Sequence, residues 1–190
     1  MPLDTTALTT WAAFKMLTGA ADDDQGKCEL LINWASDWFN NDVGFKVKAQ
    51  SFTEYHNGDG GSMFWLKNPP VASLNLYFDS ARTFAVTDLL TEDTDFVLDV
   101  DTGRIDLITC STPPGAKTVK AVYTGGYSTV PSNVEGAVLR LARFWYDTIS
   151  NAHVGVLSIS IGGGTTAFVN DIPTDVKAVA DQYRLTRWLA

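Results

Sequence analysis

The hydrophobic period changes twice along this chain, from helical to strand-like and back, and that double switch restricts the fold more than any single motif. In the first stretch, Thr9 or Thr10 is placed to cap a short helix through Trp11, Phe14 and Leu17, which Gly19 ends. After Asp22-Asp23-Asp24, the residues Cys28, Leu31, Ile32, Ala35, Trp38 and Phe39 form one stripe of a second helix. The acidic run suits the positive end of that helix's dipole.

From Phe45 to Tyr123 the alternation is that of strands. Phe45, Val47 and Ala49 alternate with Lys46, Lys48 and Gln50, and the run continues to Tyr55. His56-Asn57-Gly58-Asp59-Gly60-Gly61 reads as a turn, and Ser62 to Lys67 as the returning arm of a hairpin. Asn68-Pro69-Pro70 breaks it, and Val71 to Phe78 is a further strand. Phe96 to Val100, the turn Asp101-Thr102-Gly103 and Arg104 to Ile108 read as a second hairpin, and Val119 to Tyr123 closes the set. Short strands with closely spaced turns imply antiparallel pairing.

Pro131 restores the helical period. Ser132-Asn133-Val134-Glu135 has capping-box spacing, and Val134, Ala137, Val138, Leu141, Phe144, Trp145 and Ile149 mark a long amphipathic helix. Val156 to Ile161 is β-like, Gly162-Gly163-Gly164 is a break, and Pro173-Thr174-Asp175 opens a last helix with Val176, Val179, Ala180 and Tyr183 on one face. The expectation is an α+β fold. Residues 1–190 are expected to form a single domain, in which a core of about four helices, 5–42 and 131–190, carries an antiparallel β-hairpin insertion, 45–123, between its second and third helices.

Catalysis needs a nucleophile, a base and an orienting group, and the chain offers little of this. Its two histidines, His56 and His153, read as solvated loop residues. There is no Gly-x-Ser-x-Gly elbow, no His-Glu-x-x-His helix and no glycine-rich loop followed by Lys-Ser/Thr. Asp88, Glu92, Asp93, Asp95, Asp99, Asp101 and Asp106 lack the order and twelfth-position Glu of a calcium loop, so they read as a solvated face. No cofactor and no metal is expected. Cys28 and Cys110 share no ligand spacing and read as small hydrophobes of a reducing compartment, with a single disulfide left open. Among the tryptophans, Trp11, Trp38 and Trp145 lie on apolar stripes and read as core. Trp188, near the end of the chain, either folds back or is held out for a partner.

Charge narrows the partners. The 190 residues carry 14 Lys and Arg against 22 Asp and Glu, a net −8, and the last third is the least acidic, with five of each sign in residues 131–190. Nucleic-acid affinity comes from neutralising phosphates with Lys and Arg, so this balance argues against specific DNA binding, and against an anionic membrane surface as well. No apolar run approaches the roughly 18 residues of a membrane span. Met1-Pro2-Leu3-Asp4 opens no signal peptide, so a cytoplasmic origin is expected.

The segments and their order resemble the head–tail connector (adaptor) proteins of tailed bacteriophages and prophages. The resemblance runs from about Leu8 to Trp188. It rests on Ala35-Ser36-Asp37-Trp38-Phe39, Thr53-Glu54-Tyr55-His56-Asn57-Gly58-Asp59-Gly60 and Leu66-Lys67-Asn68-Pro69-Pro70-Val71, then on Phe96-Val97-Leu98-Asp99 with Asp101-Thr102-Gly103-Arg104-Ile105. Val122-Tyr123-Thr124-Gly125-Gly126-Tyr127 before Val130-Pro131, and Ile172-Pro173 through Tyr183-Arg184, complete it. The stretch Phe84 to Leu90 and the loop from Ala152 to Ile172 depart from the pattern.

The resemblance implies a non-enzymatic structural protein of the virion neck, assembled in the host cytoplasm. It implies a homo-oligomeric ring, commonly twelvefold, below the portal, extending the DNA channel and docking a stopper or tail-completion protein. DNA would pass without specific binding. By that analogy Tyr183, Arg184, Arg187 and Trp188 are candidate portal-docking residues. His56, Asp59, Asp93, Asp95, Asp99 and Asp101 are candidates for the lumen or for a neighbouring subunit. Two rival readings are a head-closure or tail-completion protein of the same neck, and a small-ligand or sugar-binding module that stacks its ligand on Trp65 and Tyr77.

Overall fold

The computed structural model describes residues 2–150, 158–161, 164–167 and 172–184. The chain divides into two compact units, Met1–Gly44 with Val130–Ala190, and Phe45–Thr129.

The first unit is helical, built from α1 (Trp11–Thr18), α2 (Gln25–Val43), α3 (Ser132–Ser150) and α4 (Thr174–Tyr183). Thr10 caps α1 by accepting from the Ala13 N–H at 3.2 Å, and Gly19, at φ 69°, closes it by donating to the Lys15 carbonyl. Both ends are therefore satisfied by the residue types that the sequence offers for them. Asp22–Asp24 form one 3-10 turn ahead of α2, and Gly44 ends α2 in the left-handed region. The core joins Leu8 and Phe14 to Cys28, Leu31, Ile32, Ala35, Phe39 and Val43 of α2, to Val134, Ala137, Val138, Leu141 and Ala142 of α3, and to Val176 and Ala180 of α4. Buried polar side chains of α2 strap the N-terminal segment down. The Ser36 hydroxyl accepts from the Leu8 N–H at 3.0 Å, and the Asn33 amide accepts from the Asp4 N–H and donates to the Pro2 carbonyl.

The capping box expected at α3 does not form. Ser132 is already the first helical residue, and the Glu135 carboxylate accepts instead from the Thr9 hydroxyl at 3.1 Å. After α3 the chain makes a two-stranded hairpin, β7 (Ser158–Ile161) with β8 (Gly164–Ala167), which forms a sheet of its own.

The second unit holds β1 (Gln50–Gly58), β2 (Met63–Trp65), β3 (Val71–Phe78), β4 (Phe96–Asp99), β5 (Arg104–Leu107) and β6 (Gly115–Gly125), all between α2 and α3 in the chain. They pair as two antiparallel sheets, β1-β6-β3 and β2-β5-β4. The hairpin of Phe96 to Ile108 is present as β4–β5, but the one expected across His56–Gly61 is not. β1 and β2 lie in different sheets, and β1 takes β6 as its partner in the register Phe52↔Tyr123, Glu54↔Ala121, His56↔Val119. β3 matches the same residues of β6 through Leu74, Leu76 and Phe78, so one apolar face spans three strands. A return through β2 would offer only three residues to that face. Leu66, Val71, Leu76, Phe96, Ile105, Val119, Ala121 and Tyr123 form the common core of the two sheets.

Candidate functional surfaces

A carboxylate sits on the apolar face of the larger sheet. Alternation places Glu54 between Phe52 and His56, and it is buried there. Its Oε1 accepts from the Tyr123 hydroxyl at 2.5 Å, from the Lys67 N–H at 3.3 Å and from the Asn68 amide at 3.4 Å, while Oε2 lies 3.1 Å from His56 Nε2. Burial alone would raise the Glu54 pKa. The hydrogen bonds from His56 and Tyr123, the His56 charge and the Lys67 N–H outweigh it and hold the group below the ordinary carboxylate value. Burial and the adjoining carboxylate push the Tyr123 phenol up, so it stays protonated and donates. Asn68 finishes the lock: its N–H donates to the Tyr123 oxygen at 3.1 Å, and its side-chain carbonyl accepts from the Lys46 N–H at 3.1 Å. This cluster fastens the segment before Pro69-Pro70 to β1 and β6.

His56 therefore belongs to β1, with only 19% of its side chain exposed, and not to a solvated loop. It packs against Phe64 and pairs with Glu54. The strand signal simply runs three residues further than the Asn-Gly pair suggests.

The acidic candidates are loop builders. Asp59 accepts from the Gly61 N–H at 2.8 Å and the Thr112 hydroxyl at 3.1 Å, and these bonds lower its pKa. Asp95 accepts from the Thr91 N–H and the Thr109 hydroxyl. Asp99 accepts from the Thr102 hydroxyl at 2.7 Å and the Asp101 N–H at 3.2 Å, which lowers its pKa too. Asp93 is exposed in the left-handed region at φ 65°, and Asp101 is exposed at the β4–β5 turn. Among the described residues no group of three or more His, Cys, Asp or Glu is arranged to hold a metal.

The tightest of these knots is at a residue the sequence did not single out. Asp79 accepts from the N–H groups of Phe84, Thr83 and Ala81 and from the Thr83 hydroxyl, which holds its carboxyl well below the usual range. The knot supports Arg82 and Phe84 at positive φ, and Phe84 reaches Tyr55 across the outer face of the sheet. An Asp opening a five-residue polar loop after a strand is a visible Asx-turn signal.

At the C-terminal side, Tyr183 and Arg184 are already engaged within the helical unit. The Tyr183 hydroxyl donates to Asn133 at 2.8 Å, and the Arg184 guanidinium bonds Asp42 at 2.8 Å and Asp181 at 3.0 Å. Together they hold the end of α4 to α2 and α3. Arg187, Trp188 and His153 lie outside the described residues. Trp145, read as core, is half-buried, and with Leu31, Thr148 and Ile149 it lines an apolar groove under Trp34, which is 50% exposed. Trp65 and Tyr77 sit in separate sheets, and the Tyr77 ring already carries the Lys120 ammonium 5.3 Å from its centroid, so the two make no common stacking platform. Cys28 is buried and Cys110 half-buried, both as free thiols.

A sequence profile described as "head completion protein" matches residues 5–186. No curated protein matches. Among solved structures, a chain from the neck of a native gene transfer agent particle, computed with C12 symmetry, is 19% identical. It has a TM-score of 0.66, with 100% of this chain and 95% of that one covered. A chain from the neck of the empty particle, computed with C6 symmetry, is 18% identical with a TM-score of 0.68, covering 100% and 96%. A chain from the native virion of the gene transfer agent has the same identity and score, covering 100% and 95%. At these identities the likeness is one of fold.

Proposed function

The chain belongs to the head completion protein family, a structural class of the virion neck, and on that premise we propose that it is a connector repeated as a ring below the portal. In this reading the ring, commonly twelvefold, continues the DNA channel and offers its far side to a stopper or tail-completion protein, with assembly in the host cytoplasm. The observation that carries it is the family match along nearly the whole chain. The fold likeness to neck chains of particles computed with C12 and C6 symmetry supports it. The chemistry agrees. A passage for DNA should not grip phosphate, and a net charge of −8 repels it.

We assign Tyr183 and Arg184 to positioning α4, as their bonds to Asn133, Asp42 and Asp181 support, and Arg187 and Trp188 to the portal contact itself. His56, Asp59, Asp93, Asp95, Asp99 and Asp101 remain candidates for the lumen or a neighbouring subunit. Electron microscopy of the protein mixed with portal particles tests the reading: one added ring per portal is expected, and portals left bare would refute it. Removing residues 185–190 should abolish attachment while preserving the melting temperature. The family description also favours a head-closure role. A protein that binds completed connector rings and not bare portals would establish that role instead.

A further inference from the structure

β1 has an outer edge that nothing in the described chain covers. From Gln50 to His56 it pairs with β6 on one side only, and no backbone group of Ser51–His56 bonds elsewhere among the described residues. The other edges of the second unit are closed or short. On β3, Leu76 accepts from the Leu90 N–H and Val71 donates to the Val100 carbonyl, while β2 has three residues and β4 four. Folded proteins guard long edges with lysine, proline, bulges or a covering segment. β1 has neither Lys nor Pro; its one inward-pointing charge, Glu54, is already held by partners within the unit, and its one bulge, between His56 and Gly58, leaves seven consecutive residues in regular register.

The same chain carries a second unfinished piece of sheet. β7 and β8 pair with each other over four residues and, among the described residues, join no third strand. A two-stranded hairpin alone is marginal in water and gains stability from another strand or a packed surface. One unpaired edge accepts a strand, and the other supplies one.

We infer that the β7–β8 hairpin of one copy adds to the β1 edge of the next, extending the β1-β6-β3 sheet across the subunit boundary. The inference rests on the ring reading above. The occupant is a second copy because both halves of the contact are present in every chain. Such a head-to-tail contact satisfies all copies when the rotation closes, and main-chain bonding of this kind is the usual currency of strand addition. A four-residue strand spans about 14 Å against about 24 Å of available edge, at roughly 3.4 Å per residue, so the hairpin fits without reaching the bulge.

The test uses Thr53→Cys combined with Ser160→Cys or with Thr166→Cys, one for each strand of the hairpin, in a Cys110→Ser background. Rings assembled on portals are treated with a bismaleimide of about 10 Å reach, which tolerates a one-residue slip given strands spaced about 4.8 Å apart. A ladder of dimers and higher multimers on a denaturing gel is expected from one double variant, and monomer alone from each single variant. Rings of normal appearance that give no ladder would overturn the inference and leave the ring reading intact. Cross-linking within isolated monomers would overturn it by placing the hairpin on its own chain. Wild-type protein that forms no ring would remove the parent reading, and this inference with it. Independently, replacing 158–167 by a Gly-Ser linker of equal length should leave the protomer's melting temperature unchanged and lower ring yield at least tenfold. Undiminished yield would count against the contact.

Discussion

Burying a carboxylate without partners costs more than the marginal stability of a domain allows, so Glu54 is tolerable only because four groups converge on it. Tyr123→Phe takes away the shortest of those bonds and should destabilise the β unit by about 1–3 kcal/mol, read by urea denaturation. The pH dependence follows from the lowered Glu54 pKa. A group whose pKa is depressed by folding contributes stability above its unfolded value, here 4.5, and loses that contribution as pH falls through the folded value. Melting temperature should therefore drop more steeply below pH 4.5 in the wild type than in Glu54→Gln. A second constraint sits beside it. A Cβ on Gly125 would overlap the Asn68 carbonyl and crowd the Tyr123 ring, so Gly125→Ala should cost about 3 kcal/mol. Glu54 was legible in principle, since it shares parity with Phe52. An acidic residue in a strand is ordinarily read as the wet face, and only the partners Tyr123 and Asn68, 69 and 14 positions away, reverse that reading.

Local signals determined the helices, and they were readable for that reason. The Thr10 cap, the Gly19 stop and the apolar stripes of α2 and α3 depend on neighbours within a few residues. Thr10→Ala should weaken the unit by about 1 kcal/mol, and Phe14→Ala, which empties a site packed edge-on against Tyr146, by about 3–5 kcal/mol; thermal denaturation followed by circular dichroism checks both. Strand pairing is different in kind. β1 finds its partner about 60–75 residues downstream, and nothing near Asn57-Gly58 announces that the chain will not turn straight back. What decides is the shared apolar face of β1, β6 and β3, a property of the set. The Ser132–Glu135 box failed for a similar reason: a distant hydroxyl, Thr9, reached Glu135 first.

For the molecule as a whole, charge is the property most directly tied to the proposed work. The protein should leave duplex DNA unretarded at about 0.15 M salt, because its 22 acidic side chains outnumber the 14 basic ones and the net charge of −8 repels phosphate. Converting Asp93, Asp99 and Asp101 to Lys should produce salt-sensitive retardation. A wild-type shift under those conditions would contradict a wall that lets DNA slide.

The bridge between Lys48 and Tyr127, reinforced by the Ala49 N–H donating to the Tyr127 carbonyl at 3.0 Å, clasps the incoming and outgoing ends of the β unit together. A module whose two leads emerge side by side can be lengthened, trimmed or swapped with little disturbance to the scaffold that carries it. Lineages thus have in this unit a cassette to retool, leaving the helices to drift at their own pace.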